Sequence, residues 1–225
     1  MSAPLVVAID GPAGTGKSTI ARRLAGALGI PYLDTGAMYR ALGLRVLESG
    51  VDPGDAAAVA AVAEAAVVRL RREADGGVSV LLDGEPVGER IRRPAVGEVT
   101  SRIARIPAVR AKLVALQREL AQEHGGVIEG RDIGTKVVPG TPHKFFLDAR
   151  PEVRFRRRFA ELRERGQSVN LADVAREMSE RDRRDAGRAD SPLTHDATYT
   201  VVDTSDLSVE QVVERLVAAI RSKAG

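Results

Sequence analysis

The sequence predicts an α/β fold, a mainly parallel sheet with helices on both faces. Three observations predict it. Short continuous apolar runs such as "LVVAID" at 5–10 suit strands buried on both faces. Segments with apolar residues at helical spacing alternate with these runs. Charged residues (Asp10, Asp34, Arg131 with Asp132, and Asp148) close four of the runs, and sheets of this kind bind ligands at the carboxyl ends of their strands. The coincidence points to one shared cleft.

The run 5–10 is the first strand. In "KSTIARRLAGALG" (17–29), Ile20, Leu24, Ala27 and Leu28 share one helical face, and Gly29 supplies the stop. "IPYLD" (30–34) reads as the second strand, and "TGAMYRALGLRVLESG" (35–50) as a helix ending at Gly50. The alanine-rich stretch 55–73 reads as a helix that turns extended near its end. Between 74 and 94 the pattern becomes valine-rich and glycine-bounded, which predicts a small hairpin joined at Asp83-Gly84. This interrupts the alternation, so about 68–90 is the heart of an inserted subdomain. A proline opens the helix expected over 107–125. Strands follow at 126–135 and 143–149, helices at 151–166 and 170–188, the last strand at 198–205 and the last helix at 208–223. No repeat or low-complexity linker divides the chain, so 1–225 reads as a single domain carrying one insert.

Composition narrows the class. The chain has no cysteine, which excludes disulfides and cysteine-ligated zinc. The first apolar run is too short for a signal sequence or a membrane span, so a cytoplasmic protein without membrane contact is expected. Aromatics are 3% of residues, too few for a base-stacking platform, so no nucleic-acid partner is expected. Twenty-nine arginines stand against five lysines. Arginine's planar fork suits phosphate and carboxylate groups, although a GC-rich codon bias would produce the same imbalance. The three histidines, His124, His143 and His195, form no metal-spaced cluster and read as surface or loop residues.

Between the first strand and the first helix stands "GPAGTGKS", which fits G-x-x-x-x-G-K-[ST] with Gly11, Gly16, Lys17 and Ser18 in the required places. Glycines let successive backbone N–H groups curl around a phosphate, and the following helix adds the positive end of its dipole. The loop Gly11, Pro12, Ala13, Gly14, Thr15, Gly16, Lys17, Ser18 and Thr19 is therefore expected to hold ATP. Lys17 would reach the terminal phosphates and Ser18 would help hold Mg²⁺, which the ATP phosphates mainly bind. The only asparagine is Asn170, so the N-K-x-D guanine signature of GTPases is absent. The small size favours a kinase acting on a small molecule.

Such an enzyme must neutralise the charge of donor and acceptor together. Candidates stand at strand ends and on the C-terminal helices: Thr35, Tyr39 and Arg40; Arg131 and Asp132; Arg157; and Arg181, Asp185 and Arg188. For most arginines between 150 and 165, the plainer reading is salt-bridge lacing along a helix.

The stretches "IDGPAGTGKST", "LDTGAMYRA", "EGRDIGT", "FFLDA", "RGQSVNL" and "ERDRRDAGRADSPL", in this order, resemble the bacterial cytidylate kinases of the nucleoside monophosphate kinase group over essentially the whole chain. The resemblance implies a P-loop core of three layers with a five-stranded parallel sheet, a monophosphate-binding insert and a short arginine-bearing lid near 151–166. It implies that Thr35, Ser101, Arg110, Asp132 and Arg188 surround the cytosine ring, and that Tyr39 and Asp185 flank the ribose. Arg40, Arg131 and Arg181 would hold the monophosphate, and Arg157 would lean over the triphosphate from the lid. Glu129 departs from the pattern, since relatives often carry Asp before Gly-Arg-Asp; this touches a supporting role only.

The expected reaction is ATP with CMP or dCMP giving ADP with CDP or dCDP, catalysed by Lys17, Arg131, Arg181 and Arg157 with Mg²⁺, by a protein expected to be a monomer. Two alternatives stay open on the residues alone: a UMP/CMP or other small-molecule kinase, and a nucleotide-dependent binding protein that transfers nothing.

Overall fold

The computed structural model describes residues 4–72, 78–187 and 193–223. Two compact units form the chain, one of residues 1–4 with 31–126, the other of residues 5–30 with 127–225. The strands are β1 (Val6–Asp10), β2 (Tyr32–Asp34), β3 (Val68–Arg72), β4 (Val78–Leu82), β5 (Glu85–Pro86), β6 (Gly126–Glu129), β7 (His143–Asp148) and β8 (Thr200–Asp203). The helices are α1 (Lys17–Leu28), α2 (Thr35–Ser49), α3 (Ala56–Ala65), α4 (Pro94–Ile103), α5 (Pro107–His124), α6 (Pro151–Glu164), α7 (Leu171–Ala186) and α8 (Val209–Ser222). The larger sheet has five strands in the order β2-β6-β1-β7-β8, and the smaller has three in the order β3-β4-β5. β1 pairs in parallel with β7, and β7 with β8. This is the α/β architecture with the mainly parallel sheet that the alternation predicts.

In the unit containing β1, the centres of β1, β6 and β7 are buried from both sides. Val7, Ala8 and Ile9 of β1, Val127 and Ile128 of β6, and Phe145 and Leu147 of β7 have no exposed surface. That explains why these strands read as continuous apolar runs without alternation. Ile20 and Leu24 of α1, and Val212, Leu216 and Ile220 of α8, recur at four-residue spacing and are buried with them. α8 opens on a capping box, with Ser208 and Gln211 satisfying each other's backbone N–H groups.

In the other unit, β3 and β4 pair antiparallel and turn into β5 at Asp83-Gly84, where φ is +52° and +89°. Both residues lie in the left-handed region, as the two-residue hairpin expected at this dipeptide requires. α2 and α4 pack closely at Gly43, where a Cβ would stand 2.2 Å from Thr100 Oγ1.

The stretch 55–73 turns extended near its end as expected: α3 stops at Ala65, and β3 takes Val68–Arg72 and pairs with β4. Two element expectations are corrected. α4 was not anticipated: its apolar residues Val96, Val99 and Ile103 are spaced for a helix, but "IRRP" before them read as the edge of the hairpin. The strand expected over 126–135 stops at Glu129, and Ile133–Val137 forms a π-turn instead. Asp10 captures the backbone N–H groups there, so the ladder has no donors to continue with.

Candidate functional site

The phosphate loop leaves β1 at Asp10 and enters α1 at Lys17. At Gly11 (φ +145°) a Cβ would stand 2.0 Å from the Leu147 carbonyl oxygen, and at Gly14 (φ +79°) one would stand 2.7 Å from that of Arg154. Only glycine fits either place. Gly16 caps α1 in the left-handed conformation and supplies no side-chain acceptor, so no side chain caps the first turn. Lys17 is buried and bends over its own loop, donating to the Pro12 carbonyl at 2.5 Å and to Thr15 Oγ1 at 3.4 Å. Burial, and then the charge of Arg131, push its pKa well below the usual lysine value, with Glu129 opposing and Arg181 adding to the depression.

Ser18 Oγ donates to Glu129 Oε2 at 3.1 Å. Glu129 is buried at the end of β6, so the departure from the family pattern touches the loop directly. A hydroxyl and a carboxylate are hard oxygen donors that suit Mg²⁺. Among the described residues no group of three or more His, Cys, Asp or Glu side chains could hold a metal ion.

Arg131 follows β6, and its Nε donates to Asp185 Oδ2 on α7 at 3.1 Å; Arg181 Nε stands 4.0 Å from the same oxygen. One carboxylate, its side chain 2% exposed, therefore gathers two of the predicted phosphate-binding guanidinium groups. Sequence reasoning set Asp185 beside the ribose and did not see this arginine-aligning contact. Asp132 is buried next to Arg131. Arg157 on α6 donates from both terminal nitrogens to Thr204, whose hydroxyl lies 3.0 Å from the Thr15 carbonyl of the phosphate loop. Arg188 lies outside the described residues.

The candidates of the other unit form a second group. Asp34 caps α2 through the Ala37 N–H with one oxygen, and with the other accepts from Arg40 Nη2 at 3.0 Å. Thr35 is buried at the helix start. Arg110 is buried on α5 and donates to Tyr39 Oη at 3.3 Å. Ser101 is buried on α4, and its hydroxyl has no hydrogen-bond partner among the described residues. A buried hydroxyl without a partner costs about 1–3 kcal/mol, which a ligand would relieve.

The expectation for histidines fails at one position. His143 is buried inside β7 rather than on a loop, and burial holds its pKa below the usual value. His124 is exposed, and His195 is exposed with its ring against Phe146. The lacing reading holds for Arg158 and Arg165, which both pair with Glu161. It fails for Arg154, which is buried against Asp182 and the phosphate loop; nothing in "RFRRR" distinguishes it from its neighbours. No helix among the described residues is long and apolar enough to cross a membrane.

A cytidylate kinase from Pelotomaculum thermopropionicum is 49% identical over 214 residues, covering 95% of both chains. Another from Symbiobacterium thermophilum is 46% identical, covering 96% of both, and one from Mycobacterium avium is 46% identical, covering 99% of this chain and 98% of that one. Among solved structures, an uncharacterized protein from Eubacterium ventriosum superposes with a TM-score of 0.53 at 14% identity, over 97% of this chain and 99% of that one. That likeness speaks to the fold alone. The cytidylate kinase family model matches residues 7–222, from the first strand through the last helix, and the chain belongs to that family.

Proposed function

We propose that the chain transfers the γ-phosphoryl group of ATP to CMP and dCMP, giving ADP with CDP or dCDP, as a cytoplasmic enzyme. The observation that carries this reading is the collection of positive charge around the loop: Lys17 lies buried within the field of Arg131 and Arg181, and Asp185 aligns both arginines. Cations gathered before the substrate arrives need no reorganisation as charge shifts in the transition state.

The acceptor phosphate is already an oxyanion, so transfer needs no strong general base. The chain's task is positioning and charge neutralisation. Lys17 would hold the donor's terminal phosphates, and Arg131, Arg181 and Arg40 the acceptor's phosphate. Arg157 would lie over the donor nucleotide. Ser18 and Glu129 would hold Mg²⁺ at the donor phosphates, and the ion would supply positive charge there. Thr35, Ser101, Arg110, Asp132 and Arg188 would recognise cytosine, with Tyr39 and Asp185 at the ribose.

A coupled ADP-release assay over a panel of nucleoside monophosphates tests the reading. CMP and dCMP should sustain turnover. Steady ATP consumption that needs no added acceptor would point instead to a nucleotide-dependent binding protein, and equal use of UMP to a broader pyrimidine kinase.

A further inference from the structure

Arg154, in the first turns of α6, is buried, and its Nη1 donates both to Asp182 Oδ2 on α7 at 2.6 Å and to the Ala13 carbonyl of the phosphate loop at 3.1 Å. Asp182 stands one helical turn before Asp185, on the same face of α7. Asp185 in turn accepts from Arg131. The same helix touches the loop a second way: Met178, two turns before Asp185, packs with Val174 and Leu162 against Ala13, and its Cε lies 2.9 Å from where a Gly14 Cβ would be. One rigid element thus carries, a turn apart, a carboxylate tied to the donor loop and a carboxylate tied to an acceptor-phosphate arginine.

The Arg154–Asp182 contact is one-pronged. Arg154 Nε and Asp182 Oδ1 are both buried without a partner among the described residues. The single Nη1 group shared by the two acceptors ties the position of the Ala13 carbonyl to that of Asp182 on α7.

We infer that Arg154 and Asp182 are positioning residues that couple the two nucleotide sites through α7, so that donor phosphate on the loop and acceptor phosphate on Arg131 each strengthen binding of the other. The inference rests on the kinase reading above. Ordering one end of α7 fixes the other, and coupling of this kind is reciprocal.

Titration calorimetry of CMP, with and without a saturating non-hydrolysable ATP analogue and Mg²⁺, tests it. In the wild-type chain the analogue should tighten CMP binding about five-fold or more. In Asp182→Asn and Arg154→Lys that ratio should fall within about two-fold of unity, with the affinity for CMP alone changed less than the ratio. A purely structural role would instead weaken both nucleotides and leave the ratio intact, which overturns the coupling. A wild-type ratio of one also overturns it. CMP that fails to bind while the ATP analogue binds identifies the acceptor assignment as the error. Amide exchange of the wild-type chain gives a reading independent of any variant: CMP alone should raise protection across 12–16, and unchanged protection there sinks the inference.

Discussion

The Tyr199 hydroxyl donates to Asp10 Oδ2 at 2.7 Å, beneath the point where β1 becomes the phosphate loop. Asp10 also accepts from the N–H groups of Ile133 and Gly134, and Gly134 has no room for a Cβ, which would meet the Tyr199 hydroxyl at 2.5 Å. A carboxylate with no exposed surface thus ties the segment that follows Arg131 and Asp132 to the strand that presents the loop. Tyr199→Phe removes one of three donors from a buried acceptor and should cost about 1–2 kcal/mol by denaturant unfolding.

Burial holds the Asp10 pKa above its ordinary value of 3.8, with nearby Asp132 adding to the effect and the three donors opposing it. Folding therefore favours the protonated form. Its contribution is fully present below the unfolded value and is lost as pH rises through the folded one. Unfolding free energies measured from about pH 4 to pH 7 should show this downward component in the wild-type chain and lack it in Asp10→Asn. Identical slopes in both would contradict the burial argument.

Lys17→Ala should leave the fold intact and remove about 3 kcal/mol or more of transition-state stabilisation, on the order of 10² in rate. Circular dichroism checks the first part and the coupled assay the second. Near-normal turnover would sink the phosphate-loop assignment.

Base choice gives a sharper test. Cytosine offers a donor at N4 and an acceptor at N3, and uracil reverses both. An acceptor such as Asp132 at N4 and a donor such as Arg188 at N3 should favour CMP over UMP by roughly 10² or more in kcat/KM, since each unpaired buried group costs about 1–3 kcal/mol. Asp132→Asn should shrink that preference because an amide can donate to O4. Arg40→Ala should weaken all monophosphates alike. Full discrimination retained in Asp132→Asn would refute the base-reading role.

Gly43 sits where α2 and α4 approach, and Thr100 Oγ1, which a new Cβ would meet at 2.2 Å, already donates to the Val96 carbonyl at 2.6 Å. Gly43→Ala should cost about 1–3 kcal/mol through overpacking. It should also raise the KM for CMP more than for ATP, because α4 carries Ser101. Equal effects on both would separate α4 from the acceptor side.

Hydrogen exchange with and without both nucleotides should show added protection in 151–166 and in the described parts of 68–90. A phosphoryl group in transit must be kept from water, and closure of these segments would achieve it. Unchanged protection in both would argue against a moving lid and insert.

The order of strand, phosphate loop and helix was legible in the sequence because each part rests on local chemistry. Gly11, Gly14 and Gly16 take backbone conformations that other residues avoid, and β1, β6 and β7 are buried on both faces, so their apolar runs are unbroken. The Asp83-Gly84 turn was legible for the same reason. Tertiary structure alone decided what the charged residues do. Asp185 aligning Arg131, Glu129 meeting Ser18, Arg154 reaching Ala13 and Tyr199 reaching Asp10 join residues separated by 54, 111, 141 and 189 positions. α4 and the end of β6 escaped notice likewise, one beside an ambiguous hairpin edge, the other because Asp10 takes the N–H groups that a longer strand would use. Backbone conformation is specified by neighbours along the chain. The partner of a buried charge is specified by whichever distant group packing brings within about 3 Å, and local pattern carries no record of that.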